Sequence, residues 1–482
     1  MNKLNYTGLW IIFGVVFISI LYKIIHIPIT HDECATTLYY FNYSAWEIMM
    51  YPDNWPNNHI LNTLWTKFFI ILFGKEQWVV RLPNLLSFIG YVVAAYFIIR
   101  LQFKRNSVLI LAAVFLFIGN SYLLDFFSLC RGYGMGSAMA TTSVCFLMYG
   151  FNKNRDTHIW LACVMAILAS YANFTLLVFW ITITGLCGIY FLHKYWGLLS
   201  QVLKRLGVLA IVSVGYFALI ITPLHKMTST NQFIYWTSKG FYRDTLYSLA
   251  ENWRYTDGFP KWISSDALVI SVLILLFISI AVIIWRFIKT GWSWDNFKRP
   301  ITIAFLSLCL TVTVNIIQCA ITNTPNLSGR TALFFYPLFS ILLVSLLAEI
   351  DDFNNKIVTY FLAIAIPGIV IWYMISTYNP RSVKEWNYDE NTLEVIEYLK
   401  DSSADSKEKI TLCTNWYFHP SFTFYHHTGK TPWLTLYPYN KNINKETDVE
   451  YYYIMESDLE LLTPEFKRVK NFGNGRLLVK RQ

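Results

Sequence analysis

The chain has 482 residues, of which 55% are hydrophobic and only 14% charged, with a formal net charge of +9. Soluble domains carry about 25% charged residues, so the composition excludes a water-soluble protein over most of the length. The basic residues are scattered among short loops and form no stripe, which excludes a nucleic-acid partner and fits a positive-inside pattern.

In chain order, apolar segments of membrane length cover residues 9–27, 82–101, 108–124, 133–151, 158–174, 176–192, 206–224, 267–288, 301–321, 331–350 and 357–376. A span needs about 20 such residues, so the expectation is a polytopic α-helical membrane protein with about eleven transmembrane helices. The first segment is too long for a signal-peptide core and no A-x-A-like site follows it. It is read as a helix that stays.

Residues 59–73 are apolar as well, but Asn58, Asn62, Thr63, Thr66 and Lys67 form a polar stripe at helical spacing opposite Ile60, Leu61, Leu64, Trp65, Phe68 and Ile71. That pattern predicts a helix lying on the membrane surface. Leaving it out of the count puts Lys104/Arg105, Lys153/Arg155, Lys194/Lys204/Arg205, Arg286/Lys289/Lys298/Arg299 and Lys356 on the side of Lys3. Orientation follows such clusters, so the N-terminus is expected in the cytoplasm. The first loop (28–81), the second loop (125–131), the loop 225–266 and everything after 377 then lie outside. The loop 225–266 mixes aromatics (Phe233, Tyr235, Trp236, Phe241, Tyr242, Trp253, Tyr255) with Lys239, Arg243 and Arg254. It suits a cover over a lipid substrate or a plain interfacial loop.

Two domains are expected, a membrane domain over 1–377 and a soluble α/β domain over 378–482. The tail reads as helix 391–400, strand 410–415, helix 421–427, strand 450–455 and a hairpin (466–472, 476–479) turning at Gly473-Asn474-Gly475. Five of the eight cysteines lie in apolar segments as packing residues. Cys34, Cys130 and Cys413 face the outer side, with their pairing left open.

Asp32 and Glu33 stand out in Thr30-His31-Asp32-Glu33-Cys34. Charge near a membrane is costly, and acidic pairs there sit in wet cavities or at the rim. On a helix their side chains diverge by about 100°, so one can act as general base while the other shapes the site. Thr30 to Glu33 is also a T-x-x-E capping box. Asp125 and Arg131 form a second acid–base pair at the end of the third span, either a structural ion pair or part of the site. Arg131 suits a phosphate through its planar fork. The run Gly132-Tyr133-Gly134-Met135-Gly136 is read as small residues for close helix packing. Arg330, opening the tenth span, is a second phosphate candidate or an interfacial anchor. His59 heads the surface helix, where polar substrate groups are favoured. His426-His427 are adjacent, which is not metal-ligand spacing.

Together these pieces resemble the GT-C glycosyltransferases, specifically the protein O-mannosyltransferase/aminoarabinose-transferase-like superfamily. The resemblance rests on Asp32-Glu33, Pro56 to His59, Leu72-Phe73-Gly74, Arg81-Leu82-Pro83-Asn84, Arg131-Gly132-Tyr133 and Gly329-Arg330, and covers the membrane portion. It implies inverting transfer of a sugar from a polyprenyl-phosphate donor to an acceptor hydroxyl on a lipid, glycan or protein, at the outer face of a bacterial inner membrane. Asp32 would be the base, with Glu33 and Asp125 beside it and Arg131, Arg330 and His59 around the donor phosphate. Some members bind a divalent cation near the acidic residues and others do not. Asn57-Asn58-His59 stands where relatives commonly show a His-Pro-Pro type run. A transporter or flippase of a lipid-linked substrate is the competing class, for which ionisable residues belong in broken helices at mid-bilayer depth.

Overall fold

In the computed structural model, residues 4–482 are described except for 54, 105–106, 230–237, 257–258, 354, 404–408, 442 and 444–447. Lys3, Arg105, Phe233, Tyr235 and Trp236, used above for orientation and for the long loop, lie outside the described residues. Each of the eleven expected segments is helical, beginning with Leu4–His26 and ending with Lys356–Ser376. Among the described residues, seven helices are long and apolar enough to cross a membrane. Their outward side chains are those a bilayer would cover: Ile270, Phe277, Ile284 and Ile288 are exposed on Ser265–Thr290.

The chain divides into two compact units: Met1–Leu21, Ala45–Trp65 and Pro83–Tyr378 form one, and Tyr22–Ser44, Thr66–Leu82 and Asn379–Gln482 form the other. In the first unit the expected span 108–124 is broken. Leu109–Ile118 stops at Gly119, and a short turn Ser121–Asp125 follows, capped by the Asn120 side chain accepting from the Leu123 N–H. A Cβ at position 119 would meet the Phe115 carbonyl and Val370 at 2.7 Å, so glycine is what the crossing admits. The helices Gly132–Lys153 and Asp156–Ala172 form a close hairpin, turned by Asn154 in the left-handed region. Gly132, Gly134 and Gly136 lie at tight approaches on this face. A Cβ on Gly132 would lie 2.0 Å from the Ala172 carbonyl oxygen. The glycine run thus serves packing.

The helix expected to lie on the membrane surface runs over Ile60–Phe73, 14 residues. At 1.5 Å per residue it is about 21 Å long, short of a roughly 30 Å bilayer core. Asn62, Thr63 and Thr66 are buried while Trp65, Phe68, Ile71, Leu72 and Phe73 are exposed. The polar stripe is turned into the protein and the apolar one away from it, except at Ile60, which is buried.

The tail folds as a five-stranded mixed sheet. Strands β1 (Ile410–Thr414), β2 (Leu434–Leu436), β3 (Tyr451–Met455), β4 (Phe466–Asn471) and β5 (Arg476–Arg481) lie in the order β2-β1-β3-β5-β4. β1 pairs parallel with β2 and β3, while β5 runs antiparallel to β3 and β4. Cys413, Tyr452, Ile454, Phe466, Leu477 and Val479 form one apolar core. Phe418 and Phe422, from the helix His419–His427 and its start, pack on the Tyr453 ring. The short β2 was not expected; three residues give too little alternation to be seen. All eight cysteines are free thiols, Cys34, Cys130 and Cys413 being buried.

Candidate functional site

Thr30 is extended and His31–Cys34 form a single helical turn, which continues into a π-helical stretch, Ala35–Tyr39. Glu33 closes the capping box on Thr30, its Oε2 accepting the Thr30 N–H at 2.9 Å. The same carboxylate faces Arg81, with Nε donating to Oε1 at 2.8 Å and Nη2 to Oε2 at 2.7 Å, both side chains fully buried. Arg81 spends its remaining N–H groups on the carbonyls of Ile24, Ile27 and Pro28. Those carbonyls include the ones left over where the first helix ends. Glu33 is therefore a structural partner of Arg81, and the capping reading holds for it. Asp32, next in the chain, is half-buried.

This turn is held from the tail. The His31 N–H donates to Asp389 Oδ2 at 2.9 Å, and His31 Nδ1 is 3.1 Å from the Tyr417 carbonyl. Ser421 Oγ is 2.8 Å from the Ile29 carbonyl, and Tyr425 Oη accepts the Ile29 N–H at 2.9 Å. Asp389 and Tyr425 had no signal in the sequence, because their partners on this turn, His31 and Ile29, lie 358 and 396 residues away.

In the other unit the structure brings His59, Arg131 and Arg330 together. Arg131 is 1% exposed; its Nη1 donates to the Asn57 carbonyl at 3.3 Å and its guanidinium lies 5.9 Å from the Tyr133 ring. Tyr133 also meets the His59 ring edge-on at 4.8 Å. Burial drives the His59 pKa well below its ordinary value, and the charges of Arg131 and Arg330 push it the same way. His59 is thus a neutral imidazole, and its buried Nε2 makes no hydrogen bond among the described residues. Arg330 sits in the 3-10 turn Gly329–Ala332, where Gly329 has a positive φ and Ser328 and Thr331 cap each other.

Tyr51 joins the cluster unannounced. Its ring is 1% exposed, and its backbone is left-handed at φ 60°. Lys226 donates to the Met50 and Tyr51 carbonyls and holds that conformation. Left-handed backbone in a bulky residue costs of order 1–3 kcal/mol and gathers at functional sites. Asp125 is 1% exposed and accepts from Tyr255 Oη at 2.7 Å, so the loop 225–266 reaches the second loop.

Divalent cations want several oxygen ligands, yet Glu33 is committed to Arg81 and Thr30. Among the described residues, no three His, Cys, Asp or Glu are grouped to hold a metal. His426, in the tail, is 3.3 Å from Thr431 Oγ1.

No family model matches the sequence, and no curated protein does. Among solved structures, the chain is similar to ArnT from Cupriavidus metallidurans in the apo state, at 10% identity over 98% of each chain with a TM-score of 0.36. It is similar to ArnT from the same organism bound to undecaprenyl phosphate, at 10% identity over 98% of each chain and a TM-score of 0.38. It is also similar to the Archaeoglobus fulgidus oligosaccharyltransferase complexed with Zn and sulfate, at 12% identity over 92% of this chain and 68% of that one, with a TM-score of 0.42.

Proposed function

We propose that the protein is a membrane glycosyltransferase of the GT-C kind, moving a sugar from a polyprenyl phosphate to a hydroxyl of a cell-envelope acceptor at the outer face of a bacterial inner membrane. The observation that carries this reading is the gathering of buried Arg131, half-buried Arg330 and neutral His59 in an apolar helical body. A guanidinium binds a phosphate through its planar fork, and a lipid phosphate is the anion an apolar helical body would encounter.

The chemistry assigns each group a task. The acceptor oxygen attacks the anomeric carbon from the face opposite the phosphate, and its proton passes to an Asp32 carboxylate oxygen. The bond from that carbon to the phosphate oxygen breaks, its electron pair staying on the phosphate, and the configuration inverts. The phosphate gains one negative charge in this step. Cations placed beside it therefore bind the transition state better than the ground state, which is what lowers a barrier. Arg131 and Arg330 hold the phosphate, His59 and Asp125 shape the pocket, and Glu33 fixes the turn that carries Asp32.

The test is Asp32→Asn in purified protein supplied with polyprenyl-phosphate sugars. A general base contributes about 10²–10⁴-fold, so transfer should fall by that factor with thermal stability unchanged. Wild-type transfer by the variant would sink the reading, and a flippase would keep its transport regardless.

A further inference from the structure

Ser421 Oγ makes two short contacts, 2.8 Å to the Ile29 carbonyl and 2.7 Å to Asp389 Oδ1. A serine hydroxyl has one proton to donate. If it goes to Ile29, the contact with Asp389 needs a proton from the other side. If it goes to Asp389, the Ile29 carbonyl is left 2.8 Å from an oxygen with nothing between. Only a protonated Asp389 satisfies both: Oδ1–H donates to Ser421 Oγ, Ser421 Oγ–H donates to Ile29, and Oδ2 accepts the His31 N–H at 2.9 Å.

We propose that Asp389 carries its proton in the folded protein and, as a neutral acid, is the positioning residue for the turn that bears Asp32. The tail is on this account a working part of the active centre. The catalytic half of the proposal rests on the reading of Asp32 as base; the proton on Asp389 does not.

The surroundings agree with the proton count. Asp389 is 1% exposed. Burial raises its pKa well above the carboxylate range and outweighs the bonds from Ser421 and His31; the charges of Glu33 and Asp32 raise it further. Cys34 and Tyr453 are titratable groups near it, and burial raises the pKa of each. Arg476 makes its hydrogen bonds to Glu390 and to the carbonyls of Asn387 and Tyr388. An ionised Asp389 would add a third negative charge where Asp32 and Glu33 already stand, with Arg81 committed to Glu33. A neutral acid supplies the same hydrogen bonds without that charge.

The experiment compares the full-length wild type with Asp389→Asn and Asp389→Ala. An asparagine reproduces the neutral acid, its amide N–H donating to Ser421 and its carbonyl accepting from His31. Infrared difference spectra of wild type against Asp389→Asn at neutral pH should show the carbonyl band of a protonated carboxylic acid in the wild type only. Its absence overturns the proposal, and this readout stands whether or not the alanine variant folds. With polyprenyl-phosphate sugars as donors, Asp389→Asn should keep kcat. Asp389→Ala should lose about 10²-fold in kcat with the donor KM unchanged, as expected of a misplaced reacting group. Full activity in the alanine variant overturns the positioning role, and equal loss in both variants overturns the neutral acid. If the wild type transfers from no polyprenyl phosphate, the proposed function and the positioning role fall together, while the infrared band still decides the proton.

Discussion

Glu33 and Arg81 meet through two parallel hydrogen bonds of 2.8 and 2.7 Å with neither side chain exposed. The five N–H groups of Arg81 are matched by five acceptors, two on Glu33 and three on backbone carbonyls. Removing one member of a buried pair leaves a charge uncompensated, at a cost of about 3–5 kcal/mol. Arg81→Leu should therefore lower the unfolding free energy of the detergent-purified protein by that amount. Arg81→Lys should recover little, since an ammonium cannot present the fork. The double replacement Glu33→Leu/Arg81→Leu should recover only part, because the carbonyls of Ile24, Ile27 and Pro28 lose their donor. A fully additive double-mutant cycle would contradict the pairing.

Two buried groups give the stability opposite slopes with pH. Asp389 has a raised folded pKa, so above about pH 3.8 the unfolded chain releases a proton that the folded one keeps, and stability falls as pH rises toward the folded value. His59 has a lowered folded pKa, so below about pH 6.5 the unfolded chain binds a proton that the folded one refuses, and stability falls as pH drops. Asp389→Asn should remove the first slope and His59→Gln the second, read from chemical unfolding midpoints across pH 4–8. Unchanged profiles in both variants would overturn these assignments.

Gly132 stands where helix and loop touch. A Cβ there would lie 2.0 Å from the Ala172 oxygen and 2.8 Å from the His59 Cβ, whereas one on Gly90 would meet nothing within 4 Å. Gly132→Ala should destabilise by at least about 1–3 kcal/mol through overpacking and weaken donor binding by displacing His59. Gly90→Ala should be neutral or stabilise by up to about 1 kcal/mol through helix propensity. Thermal unfolding of the two variants side by side checks the pair.

Lys226 donates to the Met50 and Tyr51 carbonyls, across about 175 residues of sequence. Lys226→Met should cost about 1 kcal/mol or more in stability and release Tyr51 from its left-handed conformation. The expected kinetic result is a raised KM for the polyprenyl-phosphate donor with kcat less affected. A kcat loss at constant KM would place Tyr51 away from the donor.

What the sequence determined by itself is whatever depends on neighbours a few residues apart. Length and hydropathy set the positions of the helices, since a bilayer span is a local quantity. The alternating strands at 410–415 and 450–455, the Gly473-Asn474-Gly475 turn and the Thr30–Glu33 cap followed from local spacing too. Even the direction of the polar stripe on Ile60–Phe73 could be read, although which side faced protein could not. Tertiary structure alone decided the partners. Glu33 belongs to Arg81, 48 residues on; Arg131 donates to the Asn57 carbonyl, 74 residues back; and the proton count at Asp389 depends on Ile29 and His31. A carboxylate's role follows from what surrounds it in a dry interior, where an unmet charge or a missing proton is costly. Those surroundings are assembled by folding from segments with no local trace of one another.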